Sequence, residues 1–149
     1  MSNSPSKENL KIKIVLSGTF WEKLPEYSIL VDDTLIERGT VGSDPKTIEF
    51  ETDVDEDCSH LLKIRLENKT DLDTVQNDDC TKILKDMLLN IESIEIDEVS
   101  LGQLIWDESK FVGDDPSRPE LKQCVNLGWN GTYILEFTSP YYLWLLENM

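Results

Sequence analysis

Strict alternation of apolar and polar residues is the feature that most limits what this chain can become. Leu10, Ile12, Ile14 and Leu16 alternate with Lys11 and Lys13, and Leu62, Ile64 and Leu66 alternate with Lys63, Arg65 and Glu67. Successive side chains of a strand point to opposite faces, so a period of two describes a strand with one face buried and the other in water. Tyr27, Ile29 and Val31 read as another such strand, and Asp32-Asp33 as a tight turn into residues 34–41, giving a hairpin. Residues 47–52, 94–96 and 133–137 add further alternating runs, 101–106 reads as one more short strand, and 141–147 closes the chain. One segment is ambiguous: Ile83, Leu84, Met87, Leu88 and Ile91 also fit one face of a helix.

Turn signals separate these runs at Gly42-Ser43-Asp44-Pro45 and Ser139-Pro140, and Pro116 and Pro119 mark a long loop over residues 107–122. Eight or nine short strands with little helix predict an all-β fold, an antiparallel β-sandwich or jelly roll. Residues 1–9 are polar and read as a disordered tail, which leaves residues 10–149 as a single sandwich domain. A chain of 149 residues suffices for that, since this length can bury about 68–70% of its unfolded surface.

Charge removes whole classes of partner. With 30 acidic and 14 basic residues the net charge is −16, so neither nucleic acid nor an anionic membrane surface is an expected partner. No apolar run approaches the span of a bilayer, and no basic segment followed by an apolar core marks a signal peptide at the start. Cys58, Cys80 and Cys124 cannot all pair with one another and show no C-x-x-C spacing, which suits free thiols in a reducing compartment. His60 is the one histidine, and no phosphate-cradling glycine motif occurs, so no enzymatic activity is expected.

Two features bear on binding. Asn68, Asp71 and Asp73 sit at the end of a strand, with Asp86 on the segment that would return beside it. Calcium takes about six to eight oxygens from such groups, so these four residues are the candidate ligands of a calcium ion. The competing reading is a solvated acidic loop, since the same D-x-D spacing recurs at Asp53, Asp55 and Asp57. The second feature is Trp21, Trp106, Trp129 and Trp144. An aromatic face can stack on a sugar ring, and Trp21 and Trp129, set among turn residues, are the candidates for carbohydrate contact; core packing is the ordinary role of a Trp.

The run from Leu62 to Asp97, with Asn68, Asp71, Asp86, Leu89, Ile91, Glu92, Ile94 and Ile96 in order, resembles the small calcium-dependent xylan-binding carbohydrate-binding modules. That resemblance implies a β-sandwich that binds a glycan or polysaccharide with calcium and catalyses nothing. The C-terminal half, in residues 88–97, 126–132 and 139–148, resembles uncharacterised proteins of contractile-tailed phages of marine cyanobacteria. This second likeness implies a phage protein in the host cytoplasm or the virion. It also supports an alternative to glycan binding: a structural or assembly protein that docks on other virion proteins through its sheet face or edge.

Overall fold

Burial of one face explains the longest element. The computed structural model describes residues 6–20, 22–69, 75, 76, 78 and 83–148. Strand β1 (Lys7–Thr19) buries Leu10, Ile12, Ile14 and Leu16 completely, or nearly so, while Lys11 and Lys13 face water. It is followed by β2 (Glu26–Val31), β3 (Thr34–Thr40), β4 (Lys46–Asp55), β5 (Ser59–Leu66), β6 (Val75–Gln76), β7 (Ile83–Lys85), β8 (Leu88–Ile96) and β9 (Val99–Ser100). The remainder is α1 (Leu104–Asp107), β10 (Ser109–Gly113), β11 (Leu121–Lys122), β12 (Asn126–Leu127), β13 (Gly131–Thr138) and α2 (Tyr141–Asn148).

The strands form an antiparallel sandwich, as the alternation predicts. One sheet runs β12-β8-β1-β4 with β9 on the flank of β8; the other runs β11-β10-β13-β5-β2-β3; β6 and β7 pair separately. Between the two larger sheets lies one apolar core, to which Tyr27, Ile64, Phe111, Tyr133 and Phe137 contribute fully buried side chains. The hairpin at Asp32-Asp33 forms where expected, with positive φ at both residues (48° and 68°), the backbone that a type I′ turn requires.

Several boundaries differ from the sequence expectation, each for a physical reason. Lys7, Glu8 and Asn9, assigned to the tail, pair with Asp55, Val54 and Asp53 at the start of β1. Residues 101–106 do not form a strand, because Leu101, Leu104 and Ile105 are all buried and that spacing belongs to a helical turn. The closing segment is the helix α2, whose Tyr141 and Trp144 face the core one turn apart. Within the expected loop over 107–122, residues 109–113 and 121–122 pair as β10 and β11. The ambiguity around residues 83–91 resolves to strand. Val15 opposes Ser93 and Leu16 opposes Ile91, so Glu92 is the extra residue of a β-bulge that lets both Ile91 and Ile94 point inward.

His60, 5% exposed, ties two turns to the core. Its Nδ1 lies 2.5 Å from Asp32 Oδ2, its Nε2 lies 2.8 Å from the Asp55 carbonyl, and its ring packs on Phe137. His60→Ala removes both polar links and opens a cavity. Urea denaturation should show a loss of about 2–4 kcal/mol, and a loss within error of zero would mean these contacts carry no stability.

Candidate functional site

The loop after β5 is held by its own amides and by two lysines. Asn68 accepts the Glu26 N–H through Oδ1 at 2.8 Å and donates through Nδ2 to the Leu24 carbonyl at 2.9 Å. Its backbone carbonyl accepts a hydrogen bond from the Lys23 ammonium. Next to it, Lys69 turns inward until its side chain is only 9% exposed. Its ammonium donates to Asp86 Oδ1 at 2.6 Å and to the Gly128 carbonyl at 2.5 Å. Asn130 clamps the Lys69 backbone, accepting its N–H at 2.8 Å and donating to its carbonyl at 2.9 Å.

This geometry places two of the four expected calcium ligands. Asp71 and Asp73 lie outside the described residues. Asn68 and Asp86 are in place, but Asn68 spends both side-chain groups on backbone partners, and Asp86 Oδ1 also accepts the Met87 N–H. A divalent ion on Asp86 would share that carboxylate with the Lys69 ammonium. Among the described residues no three of His, Cys, Asp and Glu gather as a metal-binding group. What the sequence could not show is Lys69: its charge suggests a solvated side chain, yet it is a nearly buried cation of this loop.

The tryptophans divide by cover. Trp21 lies outside the described residues. Trp129 lies under the Arg118 guanidinium, 4.4 Å from its ring, with Phe111 at 5.5 Å. Gly113 makes room for it, since a Cβ there would come within 2.7 Å of the indole nitrogen. A sugar stacking on that exposed side would have to displace Arg118. Trp144 is buried with Phe137 and Tyr141. Trp106, on α1, is 38% exposed. The sequence hid it because its segment read as strand; the i, i+3, i+4 spacing of Leu101, Leu104 and Ile105 was the signal of a helical turn with Trp106 outside.

Grooves mark the surface among the described residues. One of about 510 Å³ crosses β1 and β4 beside Lys11, Lys13, Glu49 and Glu51. Another of about 540 Å³ lies on β10 and β13 beside Lys110, Lys122 and Glu136. The third, about 410 Å³, lies between Trp106 on α1 and Glu92 on β8.

The fold resembles that of vCBM60. The structure of vCBM60 in complex with galactobiose aligns with a TM-score of 0.56 at 10% identity, covering 84% of this chain and 96% of that one. Its selenomethionine form, described in connection with a circular permutation linking two families of calcium-dependent carbohydrate-binding modules, aligns at 0.53 and 10% identity over 85% and 89%. No family model matches the chain, and no curated protein gives a significant match. At that identity the likeness is one of fold.

The Lys69–Asp86 pair gives a test of the loop. Lys69→Met removes the cationic partner of a largely buried carboxylate and should cost about 3–5 kcal/mol of unfolding free energy. Adding Asp86→Asn should return part of that loss. Denaturation of both single variants and the double variant reads the coupling, and strictly additive losses would show that the two side chains do not act as a pair.

Proposed function

We propose that this chain is a non-catalytic glycan-binding module. The observation that carries the reading is the match of its sandwich to nearly the whole of vCBM60, a protein described in complex with galactobiose. The chemistry of the described residues agrees. The single histidine is buried against Asp32 and the Asp55 carbonyl, and the surface grooves are lined by the amides, carboxylates, ammonium groups and aromatic rings that recognise sugar hydroxyls and ring faces.

The neighbour's calcium dependence does not transfer to Asn68 and Asp86 in this reading, since protein groups already hold them and Lys69 supplies the positive charge. Affinity electrophoresis through gels containing galactan or xylan tests both parts. Retarded migration that persists in EDTA is the expected outcome. Retardation that appears only with millimolar calcium would return an ion to this loop, and no retardation in any glycan gel would end the glycan reading.

A second reading, docking on other proteins, is favoured by one observation. Tyr142, Leu143 and Leu146 stand 61%, 47% and 68% exposed along α2. Self-association in sedimentation velocity, abolished by Leu146→Glu, is the outcome that would favour it.

A further inference from the structure

We infer that the groove between α1 and the bulge of β8 is a saccharide site for a neutral sugar, with Trp106 as the stacking surface and Glu92, Gln103 and Asn126 as its hydrogen-bonding groups. The inference rests on the glycan-binding reading and assigns its place. Four independent features converge on this groove.

The aromatic surface is open and fixed. Trp106 is the one tryptophan among the described residues that is neither buried nor capped by a cation. Its one-turn helix is pinned from beneath: Tyr133 Oη donates to the Ile105 carbonyl at 2.6 Å in the core, and Ser109 Oγ donates to the Trp106 carbonyl at 3.0 Å. Burial pushes the Tyr133 phenol up from its ordinary pKa, so it remains a donor throughout the working range. A platform ordered before the ligand arrives loses little entropy on binding.

The polar groups are aimed at the same space. Glu92 is the bulge residue, and bulges re-aim side chains that a regular ladder would direct elsewhere. Ser17 Oγ donates to Glu92 Oε1 and orients the carboxylate, while the other oxygen has no hydrogen-bond partner among the described residues. The side-chain amides of Gln103 and Asn126 are exposed and likewise unpartnered among the described residues. A carboxylate accepts from two neighbouring hydroxyls, and each amide both donates and accepts, which is the pattern that vicinal diols present.

Charge and size select the ligand class. Among the described residues Glu92 is the only ionisable one lining the groove, in a chain of net charge −16. Uronates and sulfated sugars would meet a negative group without a cation to balance it, so the site favours an uncharged saccharide. The volume of about 410 Å³ falls within the range of about 300–1,000 Å³ usual for small-ligand sites.

Fluorescence titration with galactobiose, alongside affinity gels of galactan and of polygalacturonate, tests the assignment. Trp106→Ala should weaken binding by about tenfold or more and Asn126→Ala by a smaller factor. Neither should move the melting temperature by more than about 2 °C, as befits exposed side chains. Arg38→Ala, on β3 of the opposite sheet, should bind like wild type, and polygalacturonate should bind less tightly than galactan. If the wild type binds and Trp106→Ala binds equally well, the site lies elsewhere and this inference fails alone. If the wild type binds none of these saccharides, the glycan reading and this site fall together.

Discussion

The double pairing of β1 is the constraint on which the rest of the sandwich hangs. β1 bonds β4 along one edge and β8 along the other, with Ile12 set between Phe50 and Ile96 and Ile14 between Ile48 and Ile94. A slip of one residue would turn Leu10, Ile12, Ile14 and Leu16 into water and bring Lys11 and Lys13 into the core. That penalty fixes the register of both neighbours at once. It also explains why the irregularity falls on β8: the residue that the ladder cannot accommodate is expelled as Glu92 rather than allowed to shift β1. The start of β1 extends the same control to the far end of the chain, since Glu8 Oε1 accepts from Ser139 Oγ at 2.6 Å and from the Tyr141 N–H at 2.9 Å, anchoring α2.

An excess of acid shapes what such a sheet can do. Lys13 stands opposite both Glu49 and Glu95, and Lys11 opposite Glu51, so the outer face of β1 is a cationic row between anionic ones. On the edge strand β4, Glu49, Glu51 and Asp53 set charges along the unpaired side, which discourages another strand from adding there. These exposed pairs contribute little individually, because water screens them. Lys69 is different in kind. Its ammonium is nearly sealed, and two oxygens receive it.

The legible parts of the chain were those in which one local pattern decides one local outcome. Alternation identified β1, β5 and β13, and the Asp-Asp turn identified the β2–β3 hairpin. Alternation failed where a bulge interrupts it: Ile91 and Ile94, three apart, imitate half a helix unless the extra residue at Glu92 is known. A short helix such as α2 carries as many apolar residues as a strand, so composition alone does not mark it. The binding residues were harder for a different reason. Trp129 sits among turn residues, which suggested exposure, but Arg118 returns across it from an earlier loop. Asn68 and Asp86 have oxygen chemistry suited to a cation, yet a residue between them in sequence brings the cation itself. Such pairings depend on contacts distant in the chain, and composition at a single stretch does not encode them.

A fixed ammonium and a bound divalent ion solve one problem by different means. Both neutralise carboxylates that a loop brings together, but an ion also offers open coordination positions to a ligand, whereas an ammonium offers only hydrogen-bond donors. With Lys69 directed inward, the loop gains order from a fixed positive charge. On the glycan-binding reading, recognition draws on side chains that the sandwich holds rigid elsewhere. The bulge at Glu92 and the pinned turn bearing Trp106 are such places, and both follow from the same register of β1 and the same packing of Tyr133 that make the core. On the proposed reading the binding surface is thus a consequence of how the sheet absorbs the extra residue at Glu92, rather than an addition made to a finished scaffold.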